Sequence, residues 1–324
     1  MILKSADDKS KRIALLEELQ RSTRLDTYQR TWLSEELERF KKGIQGERDS
    51  AHYLDNYFRN GQNHVVLHDL RFVVDGDVAQ IDHLVINRAV GIYLIETKNY
   101  AGNLVINGHG EFTAEYGKLR FGIESPLEQS RRHERVLIRL LEQLEIVGRT
   151  QKQPDFHHVV MLHPKAIIQR PPAATFDSSN VIKADQFPTW HAGYVEGMGI
   201  SSTLKSALNM RSLDTIKEWG EKLKRQHRVA DPLALPDFMR PKPPVAAAAP
   251  AVNKSPESPR PAIPVAAAEP RSVPAPAVAA DKTEKKLICT RCGIKISFPE
   301  GKFCWNNSKR FGSAQYCREH QALF

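Results

Sequence analysis

Over the first sixty residues, apolar side chains recur at steps of three and four, the spacing of one face of a helix. Leu15, Leu16 and Leu19 begin this pattern, and residues 46–58 continue it. We therefore predict helices across residues 6–60, with their apolar face packed against a core.

From residue 64 onward, short apolar runs separated by glycine-containing turns replace the helical spacing. Such runs predict strands, here at residues 64–67, 69–74, 79–87 and 92–100, with edge strands at 104–106 and 118–121. A helix is predicted at 126–146, where Ser125 offers an N-cap side chain and Pro126 fits the first turn. Strands at 159–162 and 181–182 and a helix at 204–226 complete an α/β domain that ends near residue 230.

The composition changes abruptly after that domain. Residues 241–276 hold eleven of the chain's 20 prolines, together with alanine runs. Such a segment buries too little apolar area to offset the entropy of ordering, so we predict a disordered Pro/Ala-rich linker over residues 231–283. The predicted organisation is a helical extension over residues 1–40, an α/β domain over 41–230, the linker, and a small module over 284–324 that needs a staple to fold.

The net charge of +9 belongs mainly to the tail. Residues 1–240 hold 34 Lys+Arg against 32 Asp+Glu, a net of +2, whereas residues 241–324 hold 13 against 6, a net of +7. A basic balance favours an anionic partner, and nucleic acid is the leading candidate.

The chain shows no apolar run long enough to span a membrane, and no apolar core follows the charged residues at its start. We therefore expect no membrane partner and a cytoplasmic location. The four cysteines all follow residue 288. Their spacing favours a metal site in a reducing compartment over disulfides.

Three charged side chains interrupt two otherwise apolar strands. Asp82 lies in the first strand, and Glu96 and Lys98 lie two residues apart in the second, so they share one face. The turn between the strands would bring Asp82 close to Glu96. Two carboxylates can hold Mg²⁺ or Mn²⁺, and a lysine can orient a water and stabilise charge on a phosphoryl oxygen. The alternative is an ion pair between Glu96 and Lys98 on an exposed sheet face.

The sequence around these residues resembles the nuclease-related domain (NERD) family of the PD-(D/E)XK nuclease superfamily. The resemblance rests on Gly46-Glu47, on Asp82 within Gln-Ile-Asp-His, and on residues 91–99, Gly-Ile-Tyr-Leu-Ile-Glu-Thr-Lys-Asn. It covers residues from about 40 to about 165. It implies a restriction-endonuclease-like core, in which helices flank a central mixed sheet.

The resemblance also implies roles for individual residues. Asp82 and Glu96 match the family's metal-binding carboxylates, Lys98 its catalytic lysine, and Glu47 an acidic residue that completes the metal site. Gln129 resembles the start of a downstream glutamine motif.

Structural, non-catalytic interpretations stay open for some of these positions. In the glutamine motif, His133 stands where relatives have tyrosine, and Gln129 and His133 could lie on an ordinary exposed helix face. Glu47 could be a solvated carboxylate near a helix start. We expect His83 to be a structural, hydrogen-bonded histidine rather than a ligand.

The C-terminal module contains two pairs of metal ligands, Cys289 with Cys292 and Cys317 with His320. Tetrahedral Zn²⁺ takes four nitrogen or sulfur ligands, so these four are the simplest set, and Cys304 is the alternative to His320. The module holds 8 Lys+Arg against 3 Asp+Glu. Side chains that could grip phosphates or stack on bases are Arg291, Lys302, Trp305, Lys309, Arg310 and Phe311.

Together these features predict a nuclease that uses Mg²⁺ or Mn²⁺ and acts on nucleic acid, with DNA as the expected substrate. A tethered zinc module would aid the binding of nucleic acid or of a partner. Two alternatives stay open. One is a catalytically inactive nucleic-acid-binding protein. The other is an interaction adaptor whose zinc module docks a DNA-processing protein such as a helicase or topoisomerase.

Overall fold

A computed structural model describes residues 1–148 and 153–239 and, further along, residues 287–297, 300–301, 303–304, 307, 311 and 314–321. The chain divides into two compact units, Met1–Ala247 and Ala248–Phe324. Most of the predicted linker, residues 240–283, lies outside the described residues. Its disorder and the predicted bounds of the four segments therefore stay predictions.

The helices described in the N-terminal unit are α1 (Ser10–Gln20), α2 (Thr27–Phe58), α3 (Pro126–Gln143), α4 (Phe187–Glu196), α5 (Ile200–Asn209) and α6 (Leu213–Gln226). Asp26 begins α2 with a capping box, and this single helix of 32 residues runs through the predicted segment boundary at residue 40. Ser125 caps α3 as predicted, because its side chain accepts a hydrogen bond from the Glu128 amide. The single helix predicted at 204–226 is instead two helices, since Met210 leaves the helical conformation and Ser212 caps α6.

Ten strands are described in this unit, and they form two sheets. The main sheet contains β1 (Ile2–Lys4), β2 (His64–Val74), β3 (Asp77–Asn87), β4 (Gly91–Lys98), β8 (Asp155–Leu162) and β10 (Val181–Lys183). The small sheet contains β5 (Asn103–Ile106), β6 (Phe112–Tyr116), β7 (Leu119–Ile123) and β9 (Ile167–Gln169).

The main sheet is mixed, with the strand order β1-β2-β3-β4-β8-β10. β2, β3 and β4 pair antiparallel, whereas β4 pairs parallel with β8, and both edge strands also join in parallel. Its central strands are apolar on both faces because helices cover both. Leu137 of α3 and Trp219 of α6 pack on one face, and Leu54 of α2 and Phe187 of α4 pack on the other. The predicted α/β class with a mixed sheet flanked by helices is confirmed.

Two details differ from the prediction. The runs at 64–67 and 69–74 are one strand, β2, which continues through Asp69 although that residue has a φ of 53°. The sequence pattern also gives no prediction for β1, β6, β9 or α4.

The small sheet has the strand order β7-β6-β5-β9 and packs against the β8 side of the main sheet. Leu104 and Phe112 bury their side chains there against Val160 and Leu162. Three of its strands, β5 to β7, follow β4 in the chain. Because Val160 and Leu162 pair with Glu96 and Lys98, the small sheet lies near the end of β4.

In the C-terminal unit, the described residues include a short helix, α7 (Arg318–Gln321), and an antiparallel bridge between Ile288 and Lys295. Ile296, Cys304 and Phe311 are buried. Across the described part of the chain, no helix is both long and apolar enough to cross a membrane.

Candidate active site and metal centre

The pairing of β3 with β4 brings the predicted carboxylates together. Its register ends at His83 opposite Ile95, so the next positions on the two strands are Asp82 and Glu96. There the ladder stops, and Asp82 Oδ2 accepts a hydrogen bond of 2.8 Å from the Thr97 amide. This bond fixes the Asp82 carboxylate against the strand that carries Glu96 and Lys98.

Lys98 is held between two oxygen acceptors. Its Nζ donates to Glu96 Oε1 at 2.8 Å and to Gln129 Oε1 of α3 at 3.0 Å. The Glu96 side chain is 5% exposed and that of Lys98 is 23% exposed, so this ion pair is not on an open sheet face. Burial lowers the pKa of Lys98. The charge and hydrogen bond of Glu96, together with the charge of Asp82, raise it, and the net pKa is above its ordinary value. Lys98 is therefore a cation at neutral pH.

Glu47 reaches the same place from α2, because Gly46 lets that helix approach the end of β4. A Cβ at Gly46 would lie 2.6 Å from Cβ of Asn99. Asn99 also donates a hydrogen bond of 2.7 Å to the Lys42 carbonyl of α2. The glycine and the asparagine thus join the helix that carries Glu47 to the strand that carries Glu96.

Gly46→Ala is expected to push α2 away from β4, because the added methyl group overlaps a side chain that is hydrogen-bonded to the same helix. We expect a loss of stability of about 1–3 kcal/mol and weaker binding of Mn²⁺. Gly43→Ala is the matched control, since nothing lies within 4 Å of a Cβ at Gly43. It should gain up to about 1 kcal/mol from helix propensity. Thermal melts and Mn²⁺ titration measure both effects, and equal behaviour of the two variants would contradict the close-contact role of Gly46.

Glu47, Asp82 and Glu96 form a group that we call the carboxylate cluster, and each of them has a raised pKa. Burial is the main cause for each of the three, and the neighbouring carboxylates add to it. The pKa of Asp82 lies well above its ordinary value, because of burial and then of Glu96 and Glu47. Within the described residues, Oδ1 of Asp82 and Oε1 of Glu47 accept no hydrogen bond. Negative charge and unused oxygen acceptors in one buried place are what a hard divalent cation requires.

The carboxylate cluster is open rather than closed. Among the described residues, a group of metal-ligating side chains whose ligand atoms all lie within 4.8 Å of one another occurs only in the C-terminal unit. Mg²⁺ fits such an open cluster, because it is usually held by one or two carboxylates and keeps several waters.

Lys9 and Asp69 also belong to this site, although the sequence pattern predicts neither of them. Lys9 Nζ lies 2.7 Å from Glu47 Oε2 and 3.2 Å from Asp69 Oδ2. Asp69 is buried and lies opposite Asp82 across the β2–β3 pairing, at the one position where the register is interrupted. No local signal marks Lys9, because it is separated from Glu47 by 38 residues. Asp69 does have a sequence signal, because it interrupts an apolar run in the same way as Asp82 does.

His83 is a hydrogen-bonded structural residue, as predicted. Its Nδ1 lies 2.8 Å from Nδ1 of His68, and its Nε2 lies 3.1 Å from Oγ1 of Thr97. His68 in turn contacts Asp55 of α2 at 2.9 Å. Burial, followed by His68 and Lys9, holds the pKa of His83 well below its ordinary value, so His83 is neutral. The chain of contacts fixes Thr97, whose amide binds Asp82.

Gln129 and His133 lie on the side of α3 that faces Lys98. Gln129 accepts the hydrogen bond from Lys98, so its side chain is part of the site. Burial, with help from Arg132 and Lys98, lowers the pKa of His133 to about 4. His133 is therefore a neutral imidazole near Lys98.

In the C-terminal unit, the two ligand pairs converge. Ligand atoms of Cys289, Cys292, Cys317 and His320 all lie within 4.8 Å of one another. The Cys292 and Cys317 sulfurs are 3.7 Å apart, and His320 Nδ1 lies 3.2 Å from the Cys317 sulfur. A tetrahedron with Zn–S bonds of about 2.3 Å has edges of about 3.8 Å, so this group has the size of a zinc site.

Cys304 lies outside that group, and its sulfur is engaged in hydrogen bonds instead. Its sulfur accepts hydrogen bonds from the Tyr316 amide at 3.3 Å and from Gln321 Nε2 at 3.2 Å. Among the side chains expected to grip nucleic acid, Lys302, Trp305, Lys309 and Arg310 lie outside the described residues.

Residues 42–163 match the family model described as nuclease-related domain, NERD. The matched segment includes Glu47, Asp82, Glu96, Lys98 and Gln129, and it confirms the resemblance seen in the sequence motifs. No curated protein matches the chain, and no solved structure matches it.

Proposed function

We propose that the chain is a metal-dependent nuclease that hydrolyses phosphodiester bonds in nucleic acid, with DNA as its substrate, on the premise that residues 42–163 match the nuclease-related domain model. The observation that carries the proposal is the convergence of the carboxylate cluster and Lys98 from α2, β3 and β4. Neighbouring carboxylates that are partly or fully buried and have raised pKa values are costly to stability. A catalytic metal site accounts for that cost, whereas an exposed ion pair does not.

The residues of the site divide the chemistry among them. Asp82, Glu96 and Glu47 would hold Mg²⁺ or Mn²⁺ through their carboxylate oxygens, and the bound ion would supply charge neutralisation at the phosphoryl oxygens. Lys98, held between Glu96 and Gln129, is aimed to donate a hydrogen bond to the attacking water or to a phosphoryl oxygen. Gln129 limits the rotamers of Lys98, and the Thr97 amide fixes Asp82.

The C-terminal unit has a supporting role in this proposal. Cys289, Cys292, Cys317 and His320 hold Zn²⁺, and the folded module aids the binding of nucleic acid or of a protein partner. A tether formed by the predicted Pro/Ala-rich linker would raise the local concentration of substrate at the N-terminal unit. The size of the Cys/His group supports the zinc assignment.

The test is cleavage of labelled DNA and RNA with and without Mg²⁺, by the wild type, Asp82→Ala and Lys98→Ala. We expect Mg²⁺-dependent cleavage by the wild type and a loss of about a hundredfold or more in each variant. Asp214→Ala and Lys217→Ala are matched controls, because exposed Asp214 and half-buried Lys217 form an ion pair on α6. Equal cleavage by all five proteins would contradict the catalytic assignment. Binding of nucleic acid without cleavage by the wild type would favour the inactive binding protein.

A further inference from the structure

The β6–β7 hairpin extends an apolar face beyond the core. In its register Phe112 lies opposite Ile123, Ala114 opposite Phe121, and Tyr116 opposite Leu119, so all six side chains share one face. At the base of the hairpin, Phe112 and Ala114 are fully buried. At its tip the same face is open to solvent.

Two aromatic rings lie close together and nearly parallel at that tip. Tyr116 and Phe121 are stacked, with ring centroids 6.1 Å apart and an angle of 16° between the planes. Tyr116 is 39% exposed and Phe121 is 47% exposed, while Leu119 between them is 69% exposed. An exposed, nearly parallel pair of rings is costly in water, and it suits a flat partner that is itself aromatic.

This aromatic pair adjoins the candidate active site. The Tyr116 ring lies so close to Gly102 that a Cβ there would be 2.9 Å from it. Tyr100 is close enough to raise the pKa of both Tyr116 and Lys98. Tyr100, two residues after the end of β4, is therefore a neighbour of both Lys98 and the aromatic pair.

Two exposed lysines lie near the pair. Lys118 is exposed at the turn of the hairpin, beside Gly117, whose φ is 59°. Lys42 of α2 is close enough to Tyr116 to influence its pKa, and its side chain is 67% exposed. The nearby acids Glu38 and Glu115 are paired with Lys42 and Arg120 respectively. Exposed lysines next to stacking rings are the usual combination for a single-stranded nucleic acid.

We propose that the rings of Tyr116 and Phe121 stack on unpaired bases, and that the substrate of the site is a single-stranded segment of nucleic acid. Within a duplex both faces of each base are covered by neighbouring bases, so only unpaired bases can stack on a protein ring. The inference about substrate rests on the nuclease function proposed above, whereas the binding surface stands on the hairpin itself.

The experiment measures the affinity of the full chain for a labelled oligothymidylate, without added divalent metal. Two strands are compared, one intact and one with abasic sites in place of the bases. The double variant Tyr116→Ala/Phe121→Ala is expected to bind the intact strand about tenfold or more weakly. The wild type should lose a similar factor on the abasic strand, and the variant should lose nothing further. Equal affinities of the two proteins for the intact strand would overturn the proposal.

A second variant separates stacking from general apolar contact. Tyr116→Leu/Phe121→Leu keeps apolar side chains at both positions and should be weakened like the alanine variant, because leucine has no flat π face. Full affinity in the leucine variant would overturn base stacking. Tyr28→Ala is the control, since Tyr28 is 57% exposed on α2 and is not part of the hairpin, and it should bind as the wild type does.

A direct contact can be mapped as well. Ultraviolet crosslinking of an iododeoxyuridine strand to the wild type should mark the peptide that spans residues 112–123, and a crosslink confined to other peptides would overturn the assignment. If Asp82→Ala loses cleavage but the hairpin variants bind the intact and abasic strands as the wild type does, the hairpin proposal alone is refuted. If the hairpin variants lose affinity for the intact strand as expected but the wild type cleaves nothing, the nuclease function alone is refuted.

Discussion

Asp82→Asn is expected to abolish Mg²⁺-dependent cleavage and, at the same time, to raise the melting temperature of the metal-free protein at pH 7.5. Asparagine removes a negative charge from the carboxylate cluster and keeps an oxygen that can accept the hydrogen bond from the Thr97 amide. We expect a fall in cleavage of about a hundredfold or more, as for Asp82→Ala, since several kcal/mol of charge stabilisation depends on the metal site.

The stability effect follows from the pKa of Asp82, which burial, Glu96 and Glu47 raise well above its unfolded value. A carboxyl group with a raised folded pKa stabilises the fold below its unfolded pKa, and this contribution is lost as the pH rises through the folded pKa. The wild type without metal should therefore lose stability as the pH rises from about 4, the unfolded value for Asp. The asparagine side chain of the variant does not titrate, so the variant should not lose this contribution.

Thermal melts at several pH values, with and without Mg²⁺, measure this prediction. Each kcal/mol gained should appear as about 2–4 °C in a domain of this size. Mg²⁺ should raise the melting temperature of the wild type and leave that of Asp82→Asn unchanged. Asp214→Asn is the control at an exposed carboxylate. A metal-free Asp82→Asn protein that melts below the wild type would show that the Asp82 charge is compensated in the fold.

Removing zinc is expected to unfold the C-terminal unit and to leave the N-terminal unit intact. The buried apolar side chains described in the C-terminal unit are few, Ile296, Cys304 and Phe311 among them, so the ligand group must supply most of the folding free energy. Structural zinc sites contribute about 10–16 kcal/mol of binding free energy at neutral pH. Native mass spectrometry should find one zinc per chain. Amide hydrogen exchange within residues 287–321 should become about a hundredfold faster or more after chelation.

Two cysteine variants make this test specific. Cys292→Ser should lose zinc and behave like the chelated protein, because Cys292 is in the ligand group. Cys304→Ser should keep one zinc, because its sulfur lies outside the group and accepts hydrogen bonds that serine can also accept. Loss of zinc in Cys304→Ser with retention in His320→Ala would make Cys304 the fourth ligand.

Much of the fold can be predicted from the local sequence pattern. β3, β4 and α3 could be predicted because their runs are long and their ends carry turn or capping residues such as Ser125. β1 could not, since three residues give no period to detect. The sequence pattern predicts two strands in place of β2, because Asp69 interrupts the apolar run. The observed strand continues through Asp69.

The candidate site shows the same division between local and distant information. Glu96 and Lys98 could be placed together from their two-residue spacing, and Asp82 from the turn between the strands. Glu47 and Gln129 needed the family resemblance, since nothing in their own segments points to β4. Lys9 could not be predicted at all, because an ion pair between α2 and a residue just before α1 depends on packing that leaves no periodic trace.

The bounds of the family match have a consequence for what can fold alone. Residues 42–163 contain β2, β3, β4 and β8, but neither β1 nor β10, which close the two edges of the main sheet. They also omit α6, whose Trp219 and Leu223 cover one face. A fragment cut at those bounds would expose two unpaired strand edges next to an uncovered apolar surface, a combination that leads to intermolecular β-pairing and aggregation. In this protein the nuclease-related segment therefore depends on the flanking residues for its edge strands and its cover, and the solubility of a fragment reports whether they are present.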